Sequence, residues 1–529
     1  MKITAPTSSP LPVISVGGAR LDHRQIAAAR SGVQVVITAE GSERVRQSWL
    51  HGLAVADDRP LYGRTTGVGA NRTVRPVGDP TGLARSLLRS HATSVGVPRS
   101  AERVRAMLLV RLNQLAAGGS GVAPAVVAGL CRMINDDSLP LVRELGSIGT
   151  ADLSALASTA LALMGEAPTS RPTAGPTPFG ATDGLAFISS NAAALGDAAL
   201  AVHLLDEAAR AALVVAALTF DAVNGNAECI SDTALLTTPF PGAGVVARTL
   251  RRLLGVDARE VRRAGGEPVP AARIQDSFGL RTIPQTHGPV LDALTAAAVV
   301  VNRLVNAPAE NPLVFGGLRP SQDGAIAHHG GFHQAYLQMA MDSLGLAVAQ
   351  SGQLVLARLA VLVEPEMTCL PPFLGNGTPG ASGIMACEYV AASALARIRA
   401  SGSPAGLQTV TLSRGSEEDA SFASLAATQC LDMAQSYRQL LACELVAAVR
   451  AIRMRPRQPV TGVVGDIVAL CHALPVSFED RDLSGDLDFA NELLPVLADL
   501  ANGVPDGRSR GLPVAGPLGS SPDAAVPYT

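Results

Sequence analysis

The strongest constraint on this chain is a series of long segments built on Ala, Leu and Val, at residues 199–223, 246–254, 287–306, 334–363, 388–400 and 421–454. Ala and Leu favour helix and present compact packing surfaces. Several segments exceed about 20 residues, enough at 1.5 Å per residue to span a bundle end to end. The chain has 529 residues, 47% hydrophobic and 16% charged. That suits a large buried interior, or a subunit that covers much of its surface with copies of itself. The expected class is all-α, a long-helix bundle. A loop-rich N-terminal part is expected over residues 1–200, the bundle over 201–502, and a disordered Pro/Gly/Ser/Ala tail over 503–529.

Charge and cysteine usage narrow the function. A net charge of −3 gives no basic excess to release counterions, so no nucleic-acid partner is expected. The seven cysteines are scattered, odd in number and never paired as Cys-x-x-Cys. That pattern points to reduced thiols in a cytoplasmic protein and to no metal. The start, MKITAPTSSPLP, lacks the apolar core of a signal peptide. The longest apolar stretches are interrupted by His203, Asp206, Glu207 and Arg210, or by Asp292 and Asn302, so no membrane partner is expected.

Residues 144–157, ELGSIGTADLSALA, form a Gly-rich turn running into a helical pattern, with Asp152 placed to cap that helix. Residues 61–72, LYGRTTGVGANR, form a Gly-hinged segment carrying one of only five tyrosines, as a mobile lid requires. His91 closes a helical stretch, where a histidine is commonly a structural hydrogen-bonder. Arg111 and Asn113 interrupt an apolar helix and are expected to satisfy buried backbone groups.

Taken in order, these stretches resemble the histidine and aromatic amino acid ammonia-lyases and aminomutases. Residues 62–69, YGRTTGVG, are similar to that family's Tyr-Gly-Val-Asn-Thr-Gly-Phe-Gly. Ser90-His91, Arg111-Leu112-Asn113, Gly119-Ser120-Gly121, QDSFGLR at 275–281, Glu310-Asn311-Pro312-Leu313, Gly331-Phe332-His333 and SRGSEEDAS at 413–421 have counterparts in the same sequence. The resemblance implies an all-helical homotetramer of the histidase type, with active sites assembled from three subunits. It implies a small-molecule substrate and a carbon–nitrogen lyase. Tyr62 would be the general base that removes a β-proton, Arg281 the grip on the substrate carboxylate, and Glu417 the acid facing the amine side. His91 matches the family's Ser-His and is counted with Tyr62, Arg281 and Glu417 as an expected catalytic residue. Phe332 matches an aromatic near the electrophile, and Gly69 and Asn311 fall in matching binding segments.

Three positions depart from the pattern, and all three concern the electrophile. The family's loop reads roughly Gly-Ser-Val-Gly-Ala-Ser-Gly-Asp-Leu, and its Ala-Ser-Gly cyclises into a methylidene-imidazolone. Here the loop is one residue short and the Ser-Gly pair is missing from Gly149, Thr150, Ala151 and Asp152. The asparagine that supports the ring falls on Ser189, and the second catalytic tyrosine on Phe278. An Ala-Ser-Gly does occur at 381–383, in a segment that resembles a different family stretch. The leading expectation is therefore a lyase of specialised metabolism with no cofactor, working by acid–base elimination, isomerisation or conjugate-addition cyclisation. Two alternatives stay open. One is a conventional ammonia-lyase or aminomutase with a variant ring made from Gly149-Thr150-Ala151. The other is a non-catalytic relative that binds an amino-acid-like ligand.

Overall fold

The Ala- and Leu-rich segments fold as helices in the computed structural model, which describes residues 11–55, 59–173, 175–257, 273–315, 325–455 and 462–502. The longest are Ala192–Ala222, Ile283–Leu304, Ala335–Val363 and Ala423–Met454. Ala192–Ala222 lies at the centre. It packs against Ala423–Met454, Ala101–Ala116, Ser484–Ala501 and Ile283–Leu304, and almost all of its residues are buried. Its 31 residues make a rod about 45 Å long.

This helix begins seven residues before the expected 199, and Gly196, within the added turns, acts as a contact in space. A Cβ there would meet the backbone nitrogen of Met107 at 2.8 Å, so glycine lets the Ala101–Ala116 helix approach closely. The helix also runs unbroken across residue 200, where the N-terminal part was expected to end. The tail at 503–529 lies outside the described residues.

The centre of the bundle is not purely apolar. Arg358 pairs with Glu444 through two hydrogen bonds of 2.6 and 2.9 Å, and both side chains are 0% exposed. Thr219 donates to the same carboxylate at 2.7 Å. Arg358 also donates to His287 Nε2 at 3.2 Å. Burial and the guanidinium hold His287 well below its ordinary pKa, so it stays neutral and accepts. A buried charge pair persists only when its hydrogen bonds are met in this way.

Strands are few and short. Val13–Val16 pairs in parallel with Gln34–Ile37, as their β-branched residues suggest. Val95–Pro98 pairs with Arg143–Leu145, and Leu313–Phe315 with Ala325–Ala327. The last two pairs matter for position: each delivers the chain into a loop of the candidate site. Two described segments, Gly184–Ala222 and Ala335–Val363, are long and apolar enough to cross a membrane. The apolar window of the first is 100% buried inside the fold and that of the second 44%, which makes the first a core helix.

Candidate active site

The Gly-rich turn is held from outside by one segment. Ser421 Oγ donates to the Gly149 carbonyl oxygen at 2.9 Å, Phe422 N to that of Ile148 at 2.9 Å, and Ser424 Oγ to that of Ser147 at 3.3 Å. Thr150 forms an antiparallel bridge with His333. Gly149 (φ +84°) and Ala151 (φ +85°) are both left-handed, a conformation that costs a β-carbon-bearing residue about 1–2 kcal/mol.

Asp152 corrects an expectation. It precedes the Leu153–Leu163 helix, yet its side chain makes no bond to that helix. Its carboxylate instead accepts from Ala194 N at 2.8 Å and Ser147 Oγ at 2.7 Å. It therefore caps the central Ala192–Ala222 helix, whose own N-cap, Asn191, supplies no side-chain bond. Burial pushes the Asp152 carboxyl up, against these donors.

The geometry can be compared with the ring that the resemblance implies. A β-carbon at Gly149, needed for the family's leading Ala, would sit 2.3 Å from Ser421 Oγ and 2.7 Å from Phe422 N. The third residue has a side chain in a left-handed conformation where the family has glycine. The Ser189 hydroxyl, in place of the supporting asparagine, is taken by Asn311 N at 3.1 Å. The residues present do not fit an Ala-Ser-Gly ring. The second copy of that tripeptide, at 381–383, is tied elsewhere: Ser382 N and Gly383 N both donate to Asp480.

The lid lies against the same region. Gly69 N donates to the Tyr62 hydroxyl oxygen at 2.7 Å, which fixes the ring. Gly69 is left-handed, at φ +54°, and faces Ser413. Ser413 Oγ donates to Glu417 at 2.7 Å, and Arg72 to Ser416 Oγ at 2.7 Å. Tyr62, Gly69 and Glu417 are thus brought together. Tyr62 N also donates to His328 Nε2 at 3.2 Å, and His329 N to Asn311 Oδ1 at 2.9 Å. These links join the lid to Asn311 and Ser189. Arg111, buried as expected, holds the carbonyls of Ala186 and Phe187 and the carboxylate of Glu310. His91, expected among the catalytic residues, donates from Nδ1 to the Leu87 carbonyl of its own helix at 2.9 Å. Phe332 is half-buried, one residue from the Thr150 bridge.

Phe278 and Arg281 stand apart from this group. Arg281 stacks on Phe278, 4.6 Å from its ring centre, beside an open cleft of about 440 Å³ lined by Asn226, Cys229 and Asp276. Its Nε is buried with no hydrogen-bond partner among the described residues. This cleft adjoins the C-terminal end of the central helix, where Arg273 donates to Val223 O at 2.9 Å and Asp276 accepts from Asn226 N. The Asp152 loop sits at the N-terminal end. A rigid rod about 45 Å long therefore separates Arg281 from Tyr62 within one chain.

Two residues were quoted within motifs in the sequence but given no role there. His333 Nε2 lies 3.0 Å from Asp419 Oδ2, and Asp419 also accepts from Thr409. The signal was present as three histidines within residues 328–333, read only for Phe332.

The comparisons agree with this architecture. A family model described as aromatic amino acid lyase matches residues 22–472. The histidine ammonia-lyase of Treponema denticola is 31% identical over 91% of this chain and 96% of its own length. That of Geobacillus thermodenitrificans is 33% identical over 82% and 85%. Among solved structures, histidine ammonia-lyase from Trypanosoma cruzi superposes with a TM-score of 0.82 at 25% identity, covering 93% of this chain and 96% of that one. Pantoea agglomerans phenylalanine aminomutase gives 0.83 at 25% identity, covering 92% and 100%. Motif order, helical architecture and these matches agree: the chain belongs to the aromatic amino acid lyase family.

Proposed function

We propose that this chain is an ammonia-lyase-like enzyme that acts on an amino-acid-like carboxylate without a ring-derived electrophile. The observation that carries the reading is the Gly149–Asp152 loop, where sequence and sterics both disfavour the ring while Tyr62, Arg281 and Glu417 remain. Ammonia leaves poorly without activation, so the substrate would carry a better leaving group or react by isomerisation or ring closure. Arg281 would hold the carboxylate through a bidentate fork. Tyr62 would remove the β-proton, and the released electron pair would form the double bond as the leaving group departs. Glu417 would face the polar end of the substrate.

Tyr62 and Arg281 lie at opposite ends of the central helix within one chain, which supports a homotetramer whose sites combine loops from several copies. The partly uncovered apolar helix Ala335–Val363, with Tyr336 and Met339 exposed at 82% and 68%, supports the same assembly. A cytoplasmic setting and a role in specialised metabolism complete the proposal.

The test is elimination of 2-acetoxy-3-phenylpropanoate to cinnamate, followed by absorbance. Turnover lost in Tyr62→Phe supports the reading; equal turnover in the variant refutes it. The relatives' names favour a second reading, a conventional ammonia-lyase or aminomutase with a ring from Gly149-Thr150-Ala151. Ammonia release from L-histidine or L-phenylalanine would establish it. Tight carboxylate binding with no turnover of any probe would point to the ligand-binding relative instead.

A further inference from the structure

We propose that His333, oriented by Asp419, is the general acid that protonates the leaving group in the place where an electrophile would otherwise activate it. This rests on the ring-free reading above. Three observations place it there. The backbone bridge to Thr150 fixes His333 beside the altered loop. Asp419 lies two residues from Glu417, and Tyr62 is tied to His328 at 3.2 Å, so the dyad sits between the lid and the loop. The imidazole is directional: Nε2 faces the Asp419 carboxylate at 3.0 Å, and no hydrogen bond engages Nδ1 among the described residues.

In the imidazolium form both ring nitrogens carry a proton: Asp419 accepts the one on Nε2 and so orients the ring, and the one on Nδ1 is left for donation. Asp419 is itself steadied by Thr409. These donors hold its carboxyl below the usual carboxylate range, so it remains an anion. The side chains are 31% and 64% exposed, and a pair this open to water adds little to stability. A structural role explains the arrangement poorly.

The step balances without any other reagent. Tyr62 takes the proton from Cβ, and that electron pair forms the Cα=Cβ bond. The bond from Cα to the leaving group breaks, and the leaving atom receives the Nδ1 proton of the His333 imidazolium, which becomes neutral imidazole with Nε2–H still on Asp419. The products are the unsaturated acid and the protonated leaving group. Tyr62 then returns its proton to solvent, and His333 recovers one.

Two probes test the assignment on the full-length protein: 2-acetoxy- and 2-phenoxy-3-phenylpropanoate. Acetate leaves without a proton and phenoxide needs one. His333→Ala is expected to lower kcat for the phenoxy probe on the order of 100-fold, with KM little changed, while acetate loss slows only a few-fold. Added imidazole should restore phenoxide loss. His333→Gln, which keeps a donor toward Asp419, should stay as slow as His333→Ala. Equal slowing of both probes, or failure of imidazole rescue, overturns the proposal.

A second arm needs no turnover. Diethyl pyrocarbonate should modify His333 in the free protein, and saturating trans-cinnamate should protect it, read by peptide mass spectrometry. Absence of protection overturns the assignment. Wild-type inertness toward both probes counts against the ring-free reading itself, and the protection experiment still decides where His333 lies.

Discussion

At the scale of single residues, two kinds of constraint meet in the loop before Leu153. Gly149 is held by sterics: it is left-handed, and a β-carbon would strike Ser421 and the backbone behind it. Gly149→Ala is expected to destabilise the protein by about 2 kcal/mol or more, read as a lowered thermal midpoint. Ser421→Ala should reopen part of that space, so the double variant should lose less than the sum of the single losses. Tyr62 is held by its proposed role. Tyr62→Phe removes only a hydroxyl that accepts from Gly69 N, so its thermal midpoint should move little while turnover disappears. The glycine turn was legible from residue types, whereas the role given to Tyr62 came from the resemblance of its segment to a family motif. The Asp152 carboxylate was not, because its partner, Ala194, is 42 positions away and nothing local announces it.

At the scale of helices, the central Ala192–Ala222 rod and its neighbours decide stability. Glu444→Gln leaves Arg358 without a countercharge in a dry interior, an expected cost of about 3–5 kcal/mol. Replacing both partners, as in R358M/E444L, should recover most of it. Acid should weaken the same helices. Burial holds His203 down to about 4, with Arg30 adding to the effect and Asp206 opposing it. His23 and His287 are lowered too. A histidine with a depressed pKa is neutral in the fold and protonated in the unfolded chain between the two values. Its contribution is therefore complete above about pH 6.5 and is lost as pH falls toward 4. Denaturant midpoints measured from pH 7 to pH 4.5 should drop, and His203→Gln should flatten the drop. Helix existence was plain in sequence from the Ala/Leu runs. The start at 192 was not, and Gly196 within the added turns serves a helix contact that only the fold creates.

At the scale of the whole molecule, the site is divided. The lid, the altered loop and the Ser413–Ser421 segment gather at one end of the rod, and Phe278 and Arg281 lie at the other. Sequence motifs named these residues but carried no information on which copy supplies each. Mixing should reveal it. Tyr62→Phe and Arg281→Ala chains, each inactive alone, should regain about a quarter of wild-type activity when unfolded and refolded together in equal amounts, since in the proposed assembly each site draws its lid and its arginine from different copies. No regain would place both groups in one chain and contradict the proposed assembly.

The departure that sets this chain apart lies in four residues, Gly149 to Asp152, and mass spectrometry reads them directly. The peptide spanning Gly146 to Leu156 from purified protein should have the unmodified mass of its sequence. A peptide lighter by two waters, accompanied by a near-ultraviolet band in the intact protein, would show a closed ring and return the chain to ordinary deamination.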